Sequence, residues 1–206
     1  MGVPVLILGE SGHGKTTSLR NFNENEIGVF NTLGKPLPFR GKLKTFDNAN
    51  YADIMRTLEK NSLSTYAIDD ANYLVSLEEF ARIKENGYSK FAEIAQHFQI
   101  MLDVIRNTNP DTIVYVFMHP EWDANGRMKP KLTGKMLNEK LCVEGLFSIV
   151  LIAKRTDQGY IFETQTDGFT PAKSPLGMFE AETIENDLKA VDTIIREYYQ
   201  LNNKGE

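Results

Sequence analysis

Cys142 is the sole cysteine among 206 residues, so the chain can form neither an internal disulfide nor a cysteine-rich metal cluster, and the thiol reads as an ordinary packed one. Three scattered histidines, His13, His97 and His119, have no spacing that would gather a metal ion. No apolar run approaches the roughly 20 residues that cross a bilayer. The first residues enter a strand pattern rather than a leader, so a soluble, cytoplasmic protein without a membrane partner is expected. Internal repeats and low-complexity tracts are also lacking. Positive charge is not in excess: 23 Lys and Arg against 28 Asp and Glu leave a net charge of -5. That balance argues against a monomer that coats nucleic acid by bulk electrostatics, but it leaves room for a local basic strip or a surface made by oligomerisation. A 41% hydrophobic content suffices for one substantial core, and nothing marks a boundary, so residues 1–206 are expected to form a single domain.

What the chain does have is a glycine-rich segment in an informative place. Gly9, Glu10, Ser11, Gly12, His13, Gly14, Lys15 and Thr16 fit the phosphate-binding loop pattern, directly after the apolar run Val3 to Leu8. A polyphosphate needs many donors at short range. Backbone amides supply them only where side chains do not obstruct, which Gly9, Gly12 and Gly14 ensure. A helix predicted over Lys15 to Asn21, with Thr17 in its first turn, would aim unpaired amides at the phosphates. Lys15 is then the residue for the β and γ phosphates, and the Thr16 hydroxyl a ligand for Mg²⁺.

Strands alternate with helices along the rest of the chain. Ile27 to Asn31, Tyr66 to Ile68, Ile113 to Met118 and Leu146 to Ala153 read as buried strands. Tyr51, Ile54, Met55 and Leu58 recur at helical spacing, as do Phe91, Ile94, Ala95, Phe98, Leu102 and Ile105. Ser76 with Glu79 is a capping-box signature that starts a helix, which Asn86-Gly87 interrupts. A short helix is expected before Leu146. Asp157 to Gly159 predicts a hairpin at the sheet edge with Tyr160 to Thr164, and a last helix carries Ile184, Leu188, Val191, Ile195 and Tyr198 on one face. The expectation is a three-layer α/β fold with a mainly parallel sheet, a C-terminal edge hairpin, and ligands at the carboxyl ends of the strands.

Two strand ends carry acids or a histidine. Asp69 ends an apolar strand about 50 residues after the loop, where the acid that orients Mg²⁺ is held in phosphate-loop proteins. Asp70 beside it either polarises an attacking water or caps the following turn. Glu10 and Glu121 are alternative bases. His119, at the tip of another core strand, is placed to sense the terminal phosphate as a neutral imidazole, or to serve as a polar strand cap.

Five segments together carry a family resemblance: GESGHGKTTSLRNF, LGKPLPF, AIDDANYL, VYVFMHPEWDANG and TPAKSPLGMF. In this order, and over nearly the whole chain, they resemble the small phage-encoded, RecA-like P-loop ATPases of the Sak type, associated with single-strand annealing and homologous recombination. The resemblance implies a RecA-like core that binds and hydrolyses ATP with Mg²⁺. It also implies assembly into a homo-oligomeric ring or filament, and action on single-stranded DNA with phage replication or recombination proteins in the host cytoplasm. By the same resemblance, Gly9 to Thr16 match the nucleotide loop, Asp69 the magnesium acid and His119 the sensor. Lys173 matches a lysine that reaches a neighbour's γ-phosphate, as an alternative to a solvated loop lysine. One departure is that the glutamate base usual after the second strand is missing, since Thr32 and Leu33 follow Asn31.

Two basic strips are candidates for following a DNA backbone. One holds Lys35, Arg40, Lys42 and Lys44; the other holds Arg127, Lys129, Lys131 and Lys135, with Gly126 and Gly134 to let it move and Trp122 as a stacking face. The second strip is the better placed, in a loop expected to be mobile. Two other functions stay open: a nucleotide-gated module that binds a partner with slow hydrolysis, and a small-molecule or nucleotide kinase. The kinase lacks the arginine-rich lid it normally needs, since Arg127 stands among lysines.

Overall fold

The computed structural model describes residues 1–87, 89–132 and 142–202. Its centre is an eight-stranded sheet. In chain order the strands are β1 (Val3–Leu8), β2 (Gly28–Asn31), β3 (Lys44–Asp47), β4 (Thr65–Asp69), β5 (Ile113–Met118), β8 (Ile149–Thr156), β9 (Gly159–Glu163) and β10 (Thr183–Glu185). The spatial order is β10-β9-β8-β1-β5-β4-β2-β3. The six strands from β8 to β3 pair in parallel, whereas β9 and β10 run antiparallel. A separate two-stranded hairpin joins β6 (Pro120–Trp122) to β7 (Met128–Pro130).

Alternation along the strands explains the layers. In β1, Leu6 and Leu8 face one side, and Val5 and Ile7 the other. The first side packs against α1 (Tyr51–Lys60), α2 (Asn72–Ala81) and α3 (Ser89–Arg106) through residues such as Ile54, Leu74, Phe98 and Ile105. The second packs against a 3-10 helix, Thr16–Asn21, and α4 (Leu188–Tyr199), through Leu19, Leu188, Val191 and Ile195. Helices on both faces of a mostly parallel sheet make the three expected α/β layers. Burial on both faces is why β5 reads as an unbroken apolar run, with every residue buried.

Several elements differ from expectation for local reasons. The helix after the glycine loop is a single 3-10 segment. Thr16 and Thr17 are β-branched, and the Ser18 hydroxyl donates to the Lys15 carbonyl, an oxygen the Ser18 amide shares with that of Gly14. Ser76 does not cap a helix: it lies inside α2, its hydroxyl donating back to the Asn72 carbonyl at 3.4 Å, and α2 starts after Ala71. Strand β3 escaped sequence reading because all four residues are exposed at the sheet edge and show no apolar signal. The β8–β9 hairpin is not the edge, since β10 pairs outside it. Ile184 belongs to β10, opposite Phe162, and Asp187 starts α4 by accepting from the amides of Lys189 and Ala190. The segment expected to be a mobile loop forms the β6–β7 hairpin, turned at Gly126 with φ of 74°. Lys135, Gly134 and most of the short helix expected before Leu146 lie outside the described residues; Glu144–Leu146 is a 3-10 turn. Cys142 is exposed rather than packed. No helix among the described residues is long and apolar enough to cross a membrane.

Candidate functional site

Parallel register brings the strand ends together. Leu8 pairs with Met118 and Asn31 with Asp69, so Gly9, His119 and Asp70 each follow directly on a strand tip of the same sheet edge. The amide of Gly9 donates to the Met118 carbonyl at 3.3 Å. The loop then turns over the end of β1 with positive φ at Gly12 (81°) and Gly14 (89°), a conformation side chains disfavour. A methyl at Gly14 would meet the Tyr160 ring at 2.8 Å, so that glycine serves packing as well as conformation.

Lys15 folds back into the loop it closes. Its buried ammonium donates to the carbonyls of Gly9 at 2.7 Å and Glu10 at 3.1 Å. Burial pulls its pKa down to about 8, against the opposing pull of Asp70 and Asp69. At 3.4 Å the same ammonium faces Nδ1 of His119. An ammonium has only protons to offer, so in this contact Nδ1 is the acceptor, which leaves Nε2 as the nitrogen that carries a proton. That Nε2 lies 3.1 Å from Oδ1 of Asp70.

Asp69 and Asp70 are neighbours with opposite environments. The Thr16 hydroxyl lies 3.0 and 2.8 Å from the two Asp69 carboxylate oxygens, and burial followed by the charge of Asp70 raises Asp69 to about 6. Asp70, in the left-handed region with φ of 59°, holds His119 on one oxygen and Lys35 Nζ at 3.0 Å on the other. Burial opposes its ionisation, but those two partners outweigh it and bring Asp70 down to about 2. A carboxylate held that low is a poor proton acceptor but a firm hydrogen-bond anchor.

These groups line one cleft of about 310 Å³. Of the residues expected at the site, Glu10, Ser11, Gly12, Gly14, Lys15, Thr16, Thr17, Asp69, Asp70 and His119 line it. Gly9 and His13 belong to the loop without lining the cleft. Lys35 and Tyr160 also line it, and sequence reading put both elsewhere: Lys35 in a basic strip and Tyr160 in an edge hairpin. The signals for Lys35 were its place between Gly34 and Pro36 just after β2 and in the LGKPLPF segment.

Other expected residues lie apart. Lys173 pairs its backbone with Val150 of β8 and is not among the cleft residues. Arg127 lies in the turn of the β6–β7 hairpin, Lys129 in β7 and Lys131 just after it; Lys129 is tied to Glu121 at 3.1 Å, and Trp122 is half exposed. Glu121 is therefore engaged away from the cleft. His97 bonds Glu78 at 2.8 Å on the helical face. A larger cavity, about 590 Å³, opens at the amino ends of the strands by Thr65, Asp192 and Arg196. Its ionic groups satisfy one another: Arg196 Nε donates to Asp192 at 2.6 Å, and Asp192 also accepts from Thr65 and Tyr115.

Chemically, the cleft offers a backbone cradle, an ammonium, and a hydroxyl–carboxylate pair of hard oxygen donors. Such a pair suits a small divalent cation that keeps most of its ligands as water or phosphate oxygen. No cluster of three or more His, Cys, Asp or Glu among the described residues could hold a metal by protein ligands alone. No protein-family model and no curated protein matches the chain.

Proposed function

We propose that the chain is a Mg²⁺-dependent ATPase of the phosphate-loop class with a RecA-like core, and that it couples hydrolysis to single-stranded DNA binding in phage recombination or strand annealing. The observation that carries the reading is the contact of the Thr16 hydroxyl with both oxygens of Asp69, beside Lys15 folded into its glycine loop. The strand bearing His119 lies between the loop strand and the strand bearing Asp69, which supports the RecA-like assignment of sensor and acid.

In this reading Gly12 and Gly14 open the loop amides to the phosphates, and Lys15 leaves its two carbonyls for the β and γ oxygens. Thr16 and Asp69 hold Mg²⁺, which would neutralise charge building on the phosphate oxygens. His119, fixed as the Nε2–H tautomer by Asp70, orients at the terminal phosphate. Asp70 acts by anchoring His119 and by accepting a hydrogen bond from the attacking water rather than by removing its proton. Lys173 acts on a neighbour's site, consistent with its absence from the lining of its own cleft. The hairpin strip of Arg127, Lys129 and Lys131, with Trp122, supplies the contact to DNA phosphates and base faces.

A second reading, a nucleotide-gated partner-binding module with slow hydrolysis, draws on one observation: both Asp70 oxygens are engaged by Lys35 and His119. Steady-state ATP hydrolysis with Mg²⁺, with and without single-stranded DNA, over a range of protein concentrations, separates the two. Stimulation by DNA with a steeper-than-linear concentration dependence supports the ATPase with shared sites. Tight ATP binding with negligible, DNA-independent turnover supports the gate.

A further inference from the structure

Resting on the phosphate-site reading above, we propose that Lys35 is a second phosphate ligand that contacts the terminal phosphate and makes the site prefer a nucleoside triphosphate over the diphosphate. Nothing in the loop motif predicts it, because Lys35 arrives from the segment after β2.

The backbone that presents Lys35 is built for the purpose. Asn31, buried at the end of β2, clamps it from both sides: its amide donates to the Lys35 carbonyl at 2.8 Å, and its carbonyl accepts from the Lys35 amide at 3.2 Å. The Asn31 amide is steadied in turn by Asp47 at 2.9 Å. Gly34, with φ of 61°, turns the chain where a methyl would meet the Asn48 side chain at 2.8 Å. Thr32 ties the same segment to the Asp69 carbonyl at 2.8 Å. A rigid bracket from β2 therefore holds one long side chain over the tips of β4 and β5.

That side chain lies at the far end of a row of charged and polar groups. Lys15, His119, Asp70 and Lys35 follow one another at 3.4, 3.1 and 3.0 Å along the cleft wall. Lys15 reaches the last two phosphates, so the groups beyond it on the β4 and β5 tips face the terminal one. Asp69 and Asp70 there would repel an incoming phosphate, and the ammonium of Lys35 offsets that repulsion. Its side chain is 59% exposed while Asp70 is 13% exposed, so the lysine is free to swing to an arriving anion while its partner stays fixed. The Tyr73 ring lies 5.6 Å from the ammonium. A diphosphate, ending short of this wall, has nothing for Lys35 to take.

The test compares Mg²⁺-dependent affinities of the β,γ-imido analogue of ATP and of ADP for the full chain, Lys35→Ala and Lys35→Arg, with melting curves of each free protein. The inference expects Lys35→Ala to weaken the triphosphate analogue about tenfold or more and ADP by less than about threefold. Lys35→Arg should recover part of the preference. Equal weakening of both ligands, in step with a lowered melting temperature, would show Lys35 to be merely a structural partner of Asp70 and overturn the inference. So would an unchanged ratio in Lys35→Ala when the parent binds tightly. Failure of the parent chain to bind either nucleotide removes the phosphate-site reading itself, and this inference with it.

Discussion

Asp69→Asn should stabilise the free protein while disabling the site. The Asp69 carboxyl is raised to about 6 from an ordinary 3.8, by burial first and by the charge of Asp70 second. A group whose folded pKa lies above its unfolded value holds its proton more tightly when folded, so stability falls as pH rises from about 4 through about 6 and then levels. At neutral pH the ionised form costs about 3 kcal/mol, taking 1.36 kcal/mol per unit. Asparagine never ionises and keeps one of the two oxygens facing Thr16, giving up about 1 kcal/mol of hydrogen bonding. The net gain is about 2 kcal/mol near pH 8, or about 4–8 °C in melting temperature for a chain of this size. The advantage should be smaller by about 1.5 kcal/mol at pH 5, where part of the parental penalty has yet to appear. Thermal melts of both proteins at pH 5 and 8, with ATP titrations with and without Mg²⁺, read the effect. Lower stability of the variant at pH 8, or a difference independent of pH, would refute the reasoning about Asp69. Undiminished strengthening of ATP binding by Mg²⁺ would remove Asp69 from the metal side.

Gly14→Ala meets both a positive φ of 89° and the Tyr160 ring at 2.8 Å, so it should lose about 1–3 kcal/mol of stability in denaturant titration and most of its nucleotide affinity. Asp192→Ala leaves the buried Arg196 without its carboxylate and should destabilise by about 3–5 kcal/mol while ATP affinity per folded molecule holds, measurable by urea melts and titration. Lys173→Ala should leave ATP binding by the isolated subunit intact and lower turnover only at concentrations where subunits associate; loss of binding in dilute protein would contradict a role in trans. Replacing Lys131 and Arg127 should make the salt dependence of single-stranded DNA binding shallower by about 0.7 per lost phosphate contact, while Lys129, already tied to Glu121, contributes less.

Much of this was legible in the chain itself. The apolar run of β1, the spacing of Gly9, Gly12, Gly14, Lys15 and Thr16, and the acids ending β4 are local signals, and local signals decide strands, tight turns and strand tips. The central strands were visible because burial on both faces forces unbroken apolar runs, and α1 and α3 because one buried face imposes helical spacing. Strand β3 left no trace, since a fully exposed edge strand is specified by its neighbour β2 rather than by its own residues. Ser76 misled because a capping box and a mid-helix serine look alike until the start of the helix is fixed by packing.

Sequence alone determined that a glycine loop, a lysine, a hydroxyl and a set of acids would sit on the carboxyl ends of a parallel sheet, because those features follow from short-range spacing and from strand alternation. Tertiary structure decided which of them meet, and in what ionic state. Asp69 and Asp70 are adjacent in the chain yet are driven to about 6 and about 2, because one is buried beside a like charge while the other is clasped by His119 and Lys35. Those two partners come from 49 and 35 positions away along the chain, brought in by the pairing of β5 and β2 with β4. Charge interactions depend on distance in space and on exclusion of water, and neither quantity is written in the spacing of residues along a chain.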